Sequence, residues 1–289
     1  MTKIIFFTFA GRRENLRVQE RHVMALLDAN PGSEFHLWDL TRNFQDQRYV
    51  REYAARDERI VYRGELHSGF PLACRGPRRR GQMPCVCMIH RPPYEQPYQR
   101  YAREKHDDDT VFVKFDDDVV WMDTARFSDV LAFLETSPGE IASANVVNNV
   151  VCAKYDSGLR VVGEALSQRP DETSGDDQSW WALHTDPVFA YLCHMYALNE
   201  EWRDARPEDP VKPRWGENIS INFVAMKYPL LRAAADRMKN NRLGDEGAVD
   251  TFYPTIVRSF RVAHLAFGPQ EAGLALHLDR IREQYNRLP

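Results

Sequence analysis

The chain lacks any apolar run approaching the ~20 residues that a membrane-spanning helix requires, so the sequence predicts no transmembrane segment. Its N-terminal apolar stretch, residues 4–10, is too short for a signal core with a cleavage site, and Gly11, Arg12 and Arg13 follow at once. The expectation is a first core strand in a cytoplasmic protein. An excess of positive charge is also absent. With 38 Lys and Arg against 42 Asp and Glu, the formal net charge is −4, which argues against a general polyanion binder and removes nucleic acid from the expected partners. Any phosphate recognition should then be local and metal-assisted. Cysteine is sparse and odd in number: Cys74, Cys85, Cys87, Cys152 and Cys193 do not make a simple disulfide framework and suit a reducing compartment. Cys74, Cys85, Cys87 and His90 are a candidate zinc set in a loop rich in Pro, Gly and Arg. Their spacing matches no strong zinc pattern, and small buried hydrophobes are the alternative. A dinucleotide-type glycine fingerprint is missing after the first strand, where Gly11 stands alone, and this counts against a nicotinamide cofactor.

What is present is a chain of 289 residues with 43% apolar composition, enough to bury the core of one large α/β domain or two small ones. Strand-like and helix-like segments alternate through the first hundred residues: a strand over 3–9, an amphipathic helix over 14–28, a strand over 34–40, a helix over 44–56 and a short strand over 59–62. This β-α-β-α-β order has the form of a nucleotide-binding half, with ligand loops after strands one and two. The candidate nucleotide contacts are therefore within 8–15, notably Thr8, Ala10 and Arg12, and within 39–43, where Asp39 ends its strand. Arg12 and Arg13 would suit a diphosphate, a solvated face being the alternative. Residues 75–81 form a basic loop, read either as a lid over a phosphate or as a solvated loop. A helix over 94–105 follows.

The most informative segment comes next. An apolar strand over 111–115 ends in Asp116, Asp117 and Asp118, and Val119, Val120 and Trp121 follow directly. An isolated ionised carboxylate is too costly to bury without a partner, and a divalent cation is the natural one for a group of three. Strand side chains alternate faces, so Asp116 and Asp118 point the same way and can share a metal. Asp107, Asp108 and Asp109 supply an internal control, being an equal acidic run in a polar stretch and so expected to be a solvated turn.

Downstream, the sequence predicts a helix over 127–135, a strand with its loop over 140–151, an insertion over about 154–217, a strand over 219–225 and a helix over 229–238. Asn145 and Asn148 are unusual in a strand and would suit sugar hydroxyls, with turn formation as the alternative for Asn148. Trp180 and Trp181, beside acidic residues, suit stacking on a sugar face, though tryptophans anchor cores as often. Asp245 and Glu246 lie at or near the start of a helix, where anions are favoured. His264 ends a short strand before a turn.

The ordered set Asp116 to Asp118, then Asp245 and Glu246, then His264 resembles that of glycosyltransferases of the GT-A fold with an Asp-any-Asp metal motif. The resemblance covers residues 1–150 and 215–270. It implies an α/β GT-A-like catalytic domain with a Rossmann-like half over 1–125 and an acceptor and metal-completing half over 126–289. It further implies that Asp118, Asp116 and His264 hold Mn²⁺ or Mg²⁺, and that Asp116, Asp117 and a helix residue such as Arg100, Tyr98 or Arg103 contact a UDP- or GDP-type sugar donor. Glu246 or Asp245 would be the base that takes the proton of an acceptor hydroxyl. The implied reaction is hexosyl or related transfer from a nucleotide-diphosphate sugar. A nucleotidyltransferase making nucleotide sugars would share the metal carboxylates, and a non-catalytic carbohydrate-binding protein would keep the tryptophans and asparagines without a metal.

Overall fold

The structure is a computed structural model and describes residues 2–41, 43–64, 94–167, 182–205, 209–217, 219, 221–241 and 243–288. The zinc candidates Cys74, Cys85, Cys87 and His90, the basic loop 75–81, and Trp180 and Trp181 lie outside the described residues. Eight strands form one mixed sheet, the α/β architecture that the alternating pattern predicts. In chain order they are β1 Ile4–Ala10, β2 Glu34–Asp39, β3 Ile60–Arg63, β4 Val111–Phe115, β5 Val119–Met122, β6 Ala142–Val147, β7 Phe223–Lys227 and β8 Thr255–His264. Helix α1, Arg13–Ala29, joins β1 to β2, helix α2, Phe44–Ala54, joins β2 to β3, and helix α3, Glu95–Arg103, precedes β4.

The strand order is β3-β2-β1-β4-β7-β6-β8-β5. Strands β1 to β3 are parallel, and β4 lies parallel to β1 on its other side. The chain therefore winds outward from β1 to one edge and returns to begin the other half at β4. That reversal opens a crevice at the carboxyl ends of β1 and β4, the place where open α/β sheets bind ligands. Beyond β4 the sheet is mixed: β7 runs antiparallel to both β4 and β6, β8 lies parallel to β6, and β5 antiparallel to β8.

Strands β1 and β4 are apolar on both faces because both faces are covered. Phe6, Val113 and Phe115 pack with Leu16, Val23 and Leu27 of α1. On the opposite side Ile5, Phe7 and Phe112 pack with Tyr98 and Tyr101 of α3 and with Leu231 and Ala235 of the helix Tyr228–Asn241. A third cluster joins Val120 and Trp121 to Phe189, Trp202, Ile281 and Tyr285 beside the far edge of the sheet.

Three predicted segments differ from the structure. Of the strand with its loop expected over 140–151, the strand is Ala142–Val147 and Asn148 takes a left-handed backbone (φ 65°), in keeping with the turn alternative; the helix Val150–Tyr155, which Asn149 caps through its side chain, was not expected. The strand expected over 219–225 begins only at Phe223. Ile219 and Ile221 are buried as its alternation suggested, but the Ile221 carbonyl and the Asn222 amide are turned to Lys114 and Asp116. The strand ending at His264 is ten residues long rather than short, its polar interruptions at Arg258 and Arg261 being absorbed by a register shift against β6.

Phe115 lies between Phe35 and Phe223, stacked on both with ring centroids at 5.5 and 6.1 Å, and is fully buried. Phe115→Ala should lower stability by about 3–5 kcal/mol, read as a lower urea midpoint with an unchanged denaturant slope.

Candidate metal and anion site

The three consecutive carboxylates occupy the turn between β4 and β5, and other elements fix that turn. Gln19 of α1 donates its amide to the Asp116 carbonyl (2.8 Å) and the Val119 carbonyl (3.0 Å). The Asp116 N–H donates to the Asn222 carbonyl and the Leu265 N–H to the Asp118 carbonyl. Val119 pairs with His264 across the β5–β8 ladder, which brings the end of β8 beside Asp118.

Each carboxylate meets cationic or polar partners, with Arg12 shared by Asp117 and Asp118. Asp116 Oδ1 accepts from Lys114 Nζ at 2.5 Å and Oδ2 from the Asn222 amide at 3.1 Å. Asp117 Oδ2 accepts from the Gly11 and Arg12 N–H groups, both at 2.8 Å, and Oδ1 from Arg12 Nη2 at 2.6 Å and Nε at 3.0 Å. Asp118 Oδ2 lies 2.6 Å from Arg12 Nη2 and 3.2 Å from His264 Nε2. Burial alone would push the Asp118 carboxyl up, but its pairing with His264 and Arg12 outweighs this and holds it well below the usual range. Burial also lowers Lys114, yet the charges of Asp116 and Asp245 prevail and raise it, so this wholly buried amine stays charged.

Asp116, Asp118 and His264 each offer one ligand atom, and these atoms lie within 4.8 Å of one another. Ligands at ~2.1 Å from a small divalent ion can be no more than about 4.2 Å apart, so the cluster needs only a slight contraction. Two buried atoms of the set, Asp118 Oδ1 and His264 Nδ1, have no hydrogen-bond partner. Buried polar atoms normally find partners, so an oxygen-and-imidazole donor set with orphaned atoms fits a divalent cation. Asp107, Asp108 and Asp109 are exposed in their turn, as their polar surroundings predict.

The structure gathers Arg12, Asp116, Asp117, Asp118 and His264 into one cluster, and Lys114 extends it toward Asp245. Asp245 is buried at the start of the helix Asp245–Asp250 and is raised by burial, with Lys114 opposing and Asp116 reinforcing the shift. Glu246 is exposed on the same turn. Thr8 and Ala10 are buried near the end of β1, and the Thr8 hydroxyl has no partner. The Tyr98 hydroxyl is likewise buried and unpartnered, within the electrostatic reach of Asp245 and Asp116.

Other candidates are engaged by the protein itself. Asp39 accepts from the Thr41 N–H and hydroxyl and from Tyr62 Oη. Arg100 is exposed and pairs with Glu104 one turn on. The Asn145 amide donates to Asp156 Oδ2 at 2.6 Å, and Asn148 exchanges hydrogen bonds with Gln270.

Lys114 was not among the residues singled out from the sequence, although a single lysine in an otherwise apolar strand, two residues before Asp116 and therefore on its face, was a readable signal. Gln19 and Asn222 carried no such signal, since their role depends on which elements meet at the turn.

The sequence matches no described protein family and no curated protein. Among solved structures, the galactosyltransferase LgtC in complex with donor and acceptor sugar analogs aligns with TM-score 0.44 and 11% identity, over 99% of this chain and 96% of that one. Glucosyl-3-phosphoglycerate synthase from Mycobacterium tuberculosis, in complex with Mn²⁺, uridine diphosphate and phosphoglyceric acid, aligns with TM-score 0.39 and 13% identity, over 100% and 79% of the two chains. What the site can do follows from its own side chains.

Asp250 ends the helix that carries Asp245 and Glu246. Burial and the nearby Glu246 raise its carboxyl from near 4 to about 7, against a hydrogen bond from the Ile219 backbone. Between those pH values the folded state binds more protons than the unfolded one, so this group makes stability fall as pH rises. Asp250→Asn should flatten that part of the stability profile between about pH 4 and 7, checked by urea unfolding at each pH.

Proposed function

We propose that the protein is a metal-dependent glycosyltransferase of the GT-A type, moving a sugar from a nucleotide-diphosphate donor to an acceptor hydroxyl. The observation that carries this reading is the Asp116, Asp118 and His264 cluster with its orphaned buried ligand atoms, set at the β1–β4 reversal of an α/β sheet. A metal-binding strand end beside a nucleotide-binding half suits a diphosphate leaving group better than a simple hydrolytic site, because both the base-side loops and the metal then face the same crevice.

In this reading Asp116, Asp118 and His264 hold Mn²⁺ or Mg²⁺, which supplies charge neutralisation for the departing diphosphate. Arg12, at the end of β1, adds a second positive group on the same side. Lys114 holds Asp116 in place and keeps its charge balanced. Thr8, Ala10 and Asp39 belong to the nucleotide side, and a UDP- or GDP-type donor fits that division. Asp245 is the better placed of the two candidate bases, being buried within the electrostatic reach of Lys114 and Asp116, whereas Glu246 faces solvent. A carboxylate with a raised proton affinity is suited to taking a proton from an acceptor hydroxyl. Asn145, Asn148, Trp180 and Trp181 are assigned to the sugar or acceptor side, in a single catalytic domain whose halves divide near residue 125. No helix of the described residues is long and apolar enough to cross a membrane.

The test is thermal stabilisation by UDP, GDP, CDP, TDP and ADP, each with Mn²⁺ and with EDTA. One nucleotide at about 100 times its dissociation constant should stabilise by about 2.7 kcal/mol, a rise of about 5–10 °C for a chain of this size, and only with metal. Stabilisation that survives EDTA would remove the metal from the reading. Asp118→Ala should abolish the shift and lower donor turnover by on the order of 10²–10³-fold. Full turnover by Asp245→Asn and by Glu246→Gln alike would discard the base assignment while leaving the transferase intact.

A further inference from the structure

The cation beside Asp118 is a side chain of the protein. Arg12 Nη2 lies 2.6 Å from Asp118 Oδ2, the same oxygen that faces His264 Nε2 at 3.2 Å. A metal taking Asp118 and His264 would therefore meet a guanidinium already seated on the same carboxylate. The other oxygen, Oδ1, has no partner, but a cation on either oxygen would lie within a few ångströms of that guanidinium, and two cations repel at such short range. The rest of the Arg12 anchorage does not depend on Asp118. Its N–H and Nε are both held by Asp117, and its Nη1 lies 3.1 Å from the exposed Glu271. Breaking the single Nη2 contact with Asp118 leaves the side chain tethered by Asp117 at the mouth of the site.

Beside this contact is a cavity of about 170 Å³, lined by Arg12, Asn15, Asp118, Leu265, Glu271 and Arg282 among others. The Arg12 side chain is 44% exposed, so it has room to turn. Once turned, it has lost one of its three carboxylates, and an added anion can take that place.

We propose that Arg12 is a resident counter-cation that the metal must displace from Asp118, so that metal and an anionic ligand bind together and metal alone binds weakly. Asp117 is then a positioning residue rather than a metal ligand: it keeps Arg12 at the site in both arrangements. This rests on the metal-site reading above and adds a coupling that the reading does not require. It also gives the middle carboxylate of the triplet a role, since Asp117 spends both oxygens on the Gly11–Arg12 segment.

The experiment is Mn²⁺ titration of the purified protein without nucleotide, followed by the electron paramagnetic resonance signal of the free ion. Arg12→Gln should bind Mn²⁺ at least about tenfold more tightly than the unaltered chain, the direction expected when a competing buried-side charge is removed. Unchanged or weaker binding by Arg12→Gln would overturn the proposal and leave the metal site standing. Absence of Mn²⁺ binding in both proteins would instead overturn the metal-site reading, and this inference with it. If Arg12→Gln does not fold, Arg12→Lys serves in the same titration: it keeps the charge but cannot span Asp117 and Asp118 with one fork, so tighter Mn²⁺ binding is again expected and unchanged binding is fatal. Asp118→Asn in either background should remove the binding, which ties the signal to this site.

Discussion

Everything at the functional end of this molecule depends on holding three consecutive carboxylates at a strand end without letting them repel the turn apart. The solution is division of labour. Asp116 is answered by a buried lysine from its own strand, Asp117 by the backbone and guanidinium of the β1 loop, and Asp118 by a histidine from β8 together with that same guanidinium. Because the partners come from three different segments, the acidic turn is also the point where β1, β4 and β8 are fastened to one another. Electrostatic compensation and tertiary fixation are here the same set of contacts, and a charge left unmatched at this position would carry a heavy desolvation cost.

The sheet topology makes that fastening possible. Parallel pairing of β1 with β4 sets the loop containing Gly11 and Arg12 beside the acidic turn, close enough for two backbone N–H groups to reach one carboxylate oxygen. Antiparallel pairing of β4 with β7 delivers the Asn222 side chain to Asp116, and the β5–β8 ladder delivers His264. A fold with β4 elsewhere in the order would keep the carboxylates but lose their partners. The clustering of these side chains thus lies in the strand order as much as in residue identity.

How much of this was legible in the sequence depended on whether a signal was local. The apolar strand running into Asp116 to Asp118 and the contrast with exposed Asp107 to Asp109 were readable, because burial of a strand is written in its own residues. The β-α-β-α-β start was equally clear from its periodicity. At the end of β6 the turn at Asn148 was legible but the helix after it was not, because an asparagine that caps a helix looks, in sequence, like one in a turn. Ile219 and Ile221 alternate like a strand and are buried like one, but the hydrogen bonds offered by Lys114 and Asp116 outbid a ladder there. Gln19 could not be recognised at all: on α1 it is one polar residue among many, and only the packing of α1 against the turn makes it a brace.

The donor set also has a consequence for assembly. Asp118 and His264 lie far apart in the chain and are joined by the Val119–His264 pairing and by the Leu265 N–H on the Asp118 carbonyl. Contacts of such long sequence separation form late, because the intervening chain must be closed before they are rewarded. The β1–β3 side, built from neighbouring segments, can be in place while the corner of Asp118 and His264 is still open. Completion of the last long strand is then what brings the acidic turn and the histidine together, and the amide of Leu265 is the bond that marks the event.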